Sequence, residues 1–112
     1  MPDDCLFCRI AAGELPATKV REDDETLAFA DLNPQAPTHV LVIPKRHVAD
    51  VVELAKDAEA GAALLRGITA TVEELGLSEF RVVFNTGAQA GQTVFHVHAH
   101  VLGGRRMQWP PG

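Results

Sequence analysis

The run Phe95-His96-Val97-His98-Ala99-His100-Val101-Leu102 constrains this chain more than any other segment. Three histidines alternate with apolar residues, which is the period of a strand whose successive side chains point to opposite faces. The pattern predicts His96, His98 and His100 on one face, and Phe95, Val97, Ala99 and Val101 on the other. Imidazole is suited to proton transfer, nucleophilic attack and metal ligation near neutral pH. One such residue alone reads as a satisfied core histidine. Three in strict alternation are hard to satisfy in a core, so their shared face is expected to be a site.

Composition narrows what that site can serve. Of the 112 residues, 46% are hydrophobic, enough for one domain spanning 1–112 with its own core. A formal net charge of -5 and a pI of about 5.4 argue against a general nucleic-acid binder, which would show a basic face. A small phosphate-bearing ligand remains compatible, because backbone N–H groups and histidines can hold one phosphate. No apolar run approaches the ~20 residues of a membrane span. Met1-Pro2-Asp3-Asp4 carries neither the basic nor the apolar part of a secretory signal. A cytoplasmic location without a membrane partner is expected.

The only cysteines are Cys5 and Cys8, spaced C-x-x-C. In a reducing compartment that spacing reads as half a metal site or a redox pair. A thioredoxin-like pair follows a strand, and no strand precedes this one, so a metal is favoured. Tetrahedral zinc needs two further ligands, and the histidines are the plentiful supply.

The rest of the chain supplies a frame. Cys5–Ala12 reads as a short helix stopped by Gly13. Residues 17–21 and 26–30 read as strands joined by the acidic turn 22–25, expected simply to be solvated. Residues 31–38, with Asn33-Pro34 and Pro37, form a loop. The third strand, 39–43, is nearly all apolar and predicts burial on both faces. Leu54, Ala58, Gly61, Leu65, Ile68, Val72 and Leu75 predict one long helix over 55–75 with Gly76 as its stop. Ala58 and Gly61 would allow a close approach to a sheet or another chain. A fourth strand over 80–85, a glycine-bearing loop over 86–93 and the histidine strand complete an α+β domain with a mostly antiparallel sheet.

The stretch Asn85-Thr86-Gly87 through Gly91-Gln92-Thr93-Val94 into the histidine run resembles the histidine triad (HIT) family, whose signature is three histidines separated by apolar residues. Phe29-Ala30-Asp31, Pro34-Gln35-Ala36-Pro37-Thr38-His39 and Val42-Ile43-Pro44-Lys45-Arg46-His47 extend the likeness, and the tail Gly103–Gly112 with Trp109 is similar to the Hint branch. The resemblance implies a five-stranded sheet with one long and one short helix, dimerising into a ten-stranded sheet. It implies hydrolysis at a nucleotide α-phosphate, with His98 as nucleophile and His100 and His39 handling phosphoryl oxygens and the leaving-group proton. Asn85, Gly91, Gln92 and Thr93 match a phosphate-side loop, with Thr93 standing where the branch has serine. Asp31 matches a ribose contact, and Phe7, Ile10, Phe29 and Leu32 match purine walls. Cys5, Cys8, His47 and His96 match the structural zinc ligands of some relatives. The expected substrates are purine nucleoside 5′-phosphoramidates or aminoacyl adenylates. Dinucleoside polyphosphate hydrolysis, as in the Fhit-like branch, is an alternative. A nucleotide-binding regulator and a tris-histidine metal site are further alternatives.

Overall fold

The computed structural model describes residues 4–112. Met1-Pro2-Asp3, on which the reading of a missing leader rests, lie outside the described residues. The elements in chain order are α1 (Leu6–Ala11), β1 (Lys19–Glu22), β2 (Thr26–Ala30), β3 (Thr38–Pro44), α2 (Val51–Leu54), α3 (Ala58–Leu75), β4 (Phe80–Val83) and β5 (Ala99–Gly103), with a 3-10 turn at Ala88–Ala90. The five strands form one sheet in the order β1-β2-β3-β5-β4, antiparallel throughout. This is the α+β architecture the sequence predicts. Among the described residues no helix is long and apolar enough to cross a membrane.

Alternation along the central strands divides the molecule into two cores. Ala28, Val40, Val42, Ala99 and Val101 face Leu64, Ile68 and Val72 of α3. Leu27, Phe29, Leu41 and Ile43 face the other way and pack on Phe7 and Ile10 of α1. β3 is thus covered on both faces, as its apolar run predicts. His39 pairs with Leu102, and His100 pairs with Leu41, so both histidines fall on the α1 face.

The acidic turn has more structure than solvation alone. Asp23 accepts the Glu25 and Thr26 N–H groups at 2.8 Å each and the Thr26 hydroxyl at 3.0 Å. Burial would raise this carboxyl, but those donors and Arg21 hold it at about 2.

The long helix departs from expectation. Asp50 caps one turn, α2, by accepting from Glu53 N–H. Asp57 caps α3 by accepting from Ala60 N–H. Asp50 lies ahead of the apolar pattern and Asp57 inside it, so the expected helix is interrupted at Ala55–Asp57, where the Asp57 carboxylate satisfies free N–H groups of a new helix start. The buried stripe is Ala63, Leu64, Gly67, Ile68, Thr71 and Val72, whereas Leu65 is 62% exposed and Leu75 also faces solvent. The close approach falls at Gly67 rather than at Ala58 or Gly61. A Cβ on Gly67 would lie 2.7 Å from the Thr26 hydroxyl on β2. Gly76 ends α3 in the left-handed conformation, as expected.

The histidine strand is shorter than its pattern. β5 starts at Ala99, and Val94–His96 bend away from the sheet. Phe95 is consequently 53% exposed instead of facing the core, although Val97, Ala99 and Val101 are buried as predicted. Two bonds to the end of β3 and the segment after it draw the chain aside: Val97 N–H donates to Val48 O at 2.6 Å, and His96 Nε2 lies 2.8 Å from Pro44 O.

Candidate active site and metal centre

The bend splits the three histidines between two centres. His96 turns toward α1, His100 turns toward β3, and His98 lies between them. His98 sits with its ring centroid 5.0 Å from those of both Phe7 and His100.

The first centre is a candidate metal site. Cys5 caps α1, its Sγ accepting from Cys8 N–H at 3.3 Å. Cys8 therefore lies one turn further along and faces the same point. His96 Nδ1 is 3.4 Å from each sulfur, and His47 Nδ1 is 3.3 Å from Cys8 Sγ. All four ligand atoms lie within 4.8 Å of one another. Tetrahedral zinc with sulfur and nitrogen ligands sets such atoms about 3.3–3.8 Å apart, so the spacing fits. Proton positions fit too. Pro44 O accepts from His96 Nε2–H, which leaves the Nδ1 lone pair aimed at the cysteines. Burial lowers His96 to about 4, keeping it a neutral ligand. Burial, with the Cys5 thiol beside it, pushes Cys8 up to about 11. Near neutral pH Cys8 is then a thiolate only opposite a cation.

The second centre sits at a cavity of about 240 Å³ on the α1 face. His98 and His100 meet Phe7, Ile10, Phe29, Asp31, Leu32 and Thr93 around it. His98 Nδ1 lies 2.8 Å from the His96 carbonyl and must donate to it. Its Nε2 is then the unprotonated nitrogen, and it has no hydrogen-bond partner among the described residues. That is the state a nucleophile requires. His39 is buried, and its Nδ1 accepts the Gln35 N–H at 3.0 Å, which places its proton on Nε2. That nitrogen lies 2.9 Å from His100 Nδ1 and 3.4 Å from Asp31 Oδ2.

Asp31, His39 and His100 also come within 4.8 Å of one another in the manner of metal ligands. The Gln35 N–H argues against that use: a metal at His39 Nε2 would move the proton to Nδ1, facing a second donor. This pair is arranged for protons. The three triad histidines do not converge on one point, so a tris-histidine metal site is not built.

Other residues take different places. Leu32 lines the cavity rim but is 99% exposed. Asn85, Gly91 and Gln92 do not line this cavity. Gly91, at φ +100°, lies beside the Asn85 amide. Gln92 is buried and spends both side-chain donors on Ala49 O and Val94 O, while its Oε1 accepts the Gly87 N–H. It braces the glycine loop, leaving Thr93 as the loop's contribution to the cavity wall. Sequence reasoning missed Gln35, whose contribution is a backbone N–H and leaves no side-chain signal. It also missed the walls Leu6, Pro16 and Val94, which read as ordinary apolar positions. A larger groove of about 620 Å³ beside Phe80, Arg81 and Arg105 contains none of the histidines, so chemistry selects the smaller cavity.

Comparison with known proteins agrees with this geometry. A family model, the HIT domain, matches residues 12–107. A HIT family hydrolase from Legionella pneumophila Philadelphia 1 superposes with a TM-score of 0.91 at 51% identity, covering 97% of this chain and 100% of that one. A histidine triad protein from Clostridium difficile gives a TM-score of 0.90 at 42% identity, covering 96% of each chain. A 14 kDa zinc-binding protein of Zea mays is 45% identical over 113 residues, 96% of this chain and 87% of that protein. This protein belongs to the HIT family.

Proposed function

We propose that the protein is a hydrolase that cleaves purine nucleoside 5′-phosphoramidates to nucleoside monophosphates through a nucleotidyl-His98 intermediate. The observation that carries this reading is the free Nε2 of His98 at the cavity, fixed by its Nδ1 bond to the His96 carbonyl. Phe7, Ile10 and Phe29 supply apolar walls for a base. His98 Nε2 attacks phosphorus, the phosphorus–nitrogen bond breaks, and the leaving amine takes a proton from His100. Water then attacks phosphorus, gives a proton back to His100, and His98 leaves as a neutral imidazole. A neighbour described as a hydrolase supports the reaction class.

The test compares metal-replete protein on adenosine 5′-phosphoramidate and on a dinucleoside polyphosphate. Faster AMP release from the phosphoramidate is expected. Turnover of the polyphosphate alone would replace this reading with the Fhit-like one, and turnover of neither would favour a binding role.

The Cys5, Cys8, His47 and His96 cluster would hold structural zinc, in keeping with the zinc-binding Zea mays relative. When bound, the ion would supply a fixed charge that keeps both thiols ionised and His96 in place.

We further propose a homodimer. The outer edge of β4 has no strand partner among the described residues, and an apolar groove runs between Leu54, Leu64, Leu65 and Phe84. Pairing there would remove an aggregation-prone edge. The exposed Trp109 tail would join the same contact. Sedimentation at micromolar concentration should show a dimer, and a monomer alone would overturn this assembly.

A further inference from the structure

We propose that Asp31 is a positioning residue for proton transfer, whose carboxylate allows His100 to carry a second proton. This rests on the hydrolytic reading above and adds a task to any ribose contact Asp31 makes. An amine leaves phosphorus only with a proton, so the donor beside it must be able to become cationic and later neutral again.

The hydrogen-bond polarity shows where the difficulty lies. Gln35 N–H occupies His39 Nδ1, so His39 keeps its proton on Nε2 and points it at His100 Nδ1. In that arrangement His100 is neutral, with its own proton on Nε2. A second proton on His100 Nδ1 would face the His39 Nε2–H across 2.9 Å, and two donors cannot share that gap. His39 cannot turn its proton to Nδ1, because the Gln35 N–H meets it there.

The acceptor that resolves the conflict is Asp31 Oδ2. It lies 3.4 Å from His39 Nε2 and 3.9 Å from His100 Nδ1. The His39 Nε2–H can turn from His100 to this oxygen, which frees His100 Nδ1 for its proton. The other carboxylate oxygen accepts the Asn33 N–H at 2.8 Å, which fixes the orientation of the group. Asp31 has no lysine or arginine within 4.0 Å among the described residues, so its charge is directed at the two histidines.

The groups facing His100 are His98, His39 and Asp31. Burial and the two histidines push His100 down, and only the Asp31 carboxylate opposes them. Proton balance closes over the cycle. His100 passes its Nε2 proton to the departing amine and becomes neutral, and the water that cleaves the intermediate returns one.

The test is Asp31→Asn, which keeps the shape and removes the charge. The first readout is the His100 imidazole titration, followed by nitrogen-15 NMR without any turnover. Its midpoint should fall by about one unit. The second readout is kcat against pH for two substrates, adenosine 5′-phosphoramidate and a phenyl phosphoramidate that lacks ribose. Near neutral pH, kcat should fall about tenfold on both. An unmoved His100 midpoint, with the loss confined to KM for the ribose-bearing substrate, would overturn the proposal and leave Asp31 as a ribose contact. If wild-type protein hydrolyses neither substrate, the hydrolytic reading fails, while the titration still decides whether Asp31 acts on His100.

Discussion

His98→Ala is expected to reduce phosphoramidate turnover by on the order of 10⁴-fold or more while leaving the protein folded. The size of the loss follows from the role: without Nε2 no covalent intermediate forms, and the remaining groups only bind. The expectation of folding follows from position. His98 faces the cavity, and both sheet cores are built from other residues. Its Nδ1 bond ends on the His96 carbonyl, so truncation frees a single backbone acceptor. Turnover should be measured beside a thermal melt of the same preparation. Turnover within tenfold of wild type in a folded variant would remove His98 from the role of nucleophile.

The second large effect concerns stability. Cys8→Ser should strip the metal and lower Tm by roughly 15–30 °C. An ion present at ~1,000 times its Kd adds about 4 kcal/mol to the folded state, and a domain of this size shifts by about 4–8 °C per kcal/mol. Serine is a poor zinc ligand beside a buried thiolate. It would also leave His47 Nδ1 without its sulfur neighbour and His96 Nδ1 with that of Cys5 alone. Metal content by mass spectrometry and melting with and without a chelator measure both parts. Wild-type protein that binds no near-stoichiometric zinc, and melts alike with chelator, would show that the four residues serve only as packing.

The sheet was legible because its signals are local. Alternation over Val97–Val101 separates the apolar face from the imidazoles, the unbroken apolar run Val40–Ile43 predicts burial on both faces, and the structure follows both. Gly13 and Gly76 stop their helices because both adopt positive φ, a conformation glycine takes without cost. The misread parts depend on competition that pattern alone does not weigh. Asp57 starts a new helix inside the apolar repeat, separate from the short one that Asp50 caps ahead of it, and the repeat's phase shifts by one residue at Leu64 and Leu65. Phe95 belongs to the alternation on paper, but the bonds of His96 and Val97 to the segment Pro44–Val48 pull it into solvent.

The candidate site divides in the same way. Side-chain chemistry pointed to Cys5, Cys8 and the alternating histidines, the resemblance to the HIT family added His47 as a ligand and His39 as an active-site group, and the fold brings each set to one place. Backbone groups stayed hidden. The Gln35 N–H that fixes the His39 tautomer and the His96 carbonyl that fixes His98 depend on tertiary positions rather than residue type. Gln92 shows the converse. The family resemblance implies its amide as a phosphate contact, yet tertiary contacts spend both of its donors on the Ala49 and Val94 carbonyls.

The account stands on a nucleotidyl-His98 intermediate, and the stereochemical course at phosphorus tests it most directly. Wild-type protein would be given an adenosine 5′-phosphorothioamidate of known configuration in oxygen-18 water, and the product's configuration determined. Two successive in-line displacements, first by His98 and then by water, predict net retention. Net inversion would mean that water attacks phosphorus directly, and His98 would then have to be reassigned from nucleophile to general base.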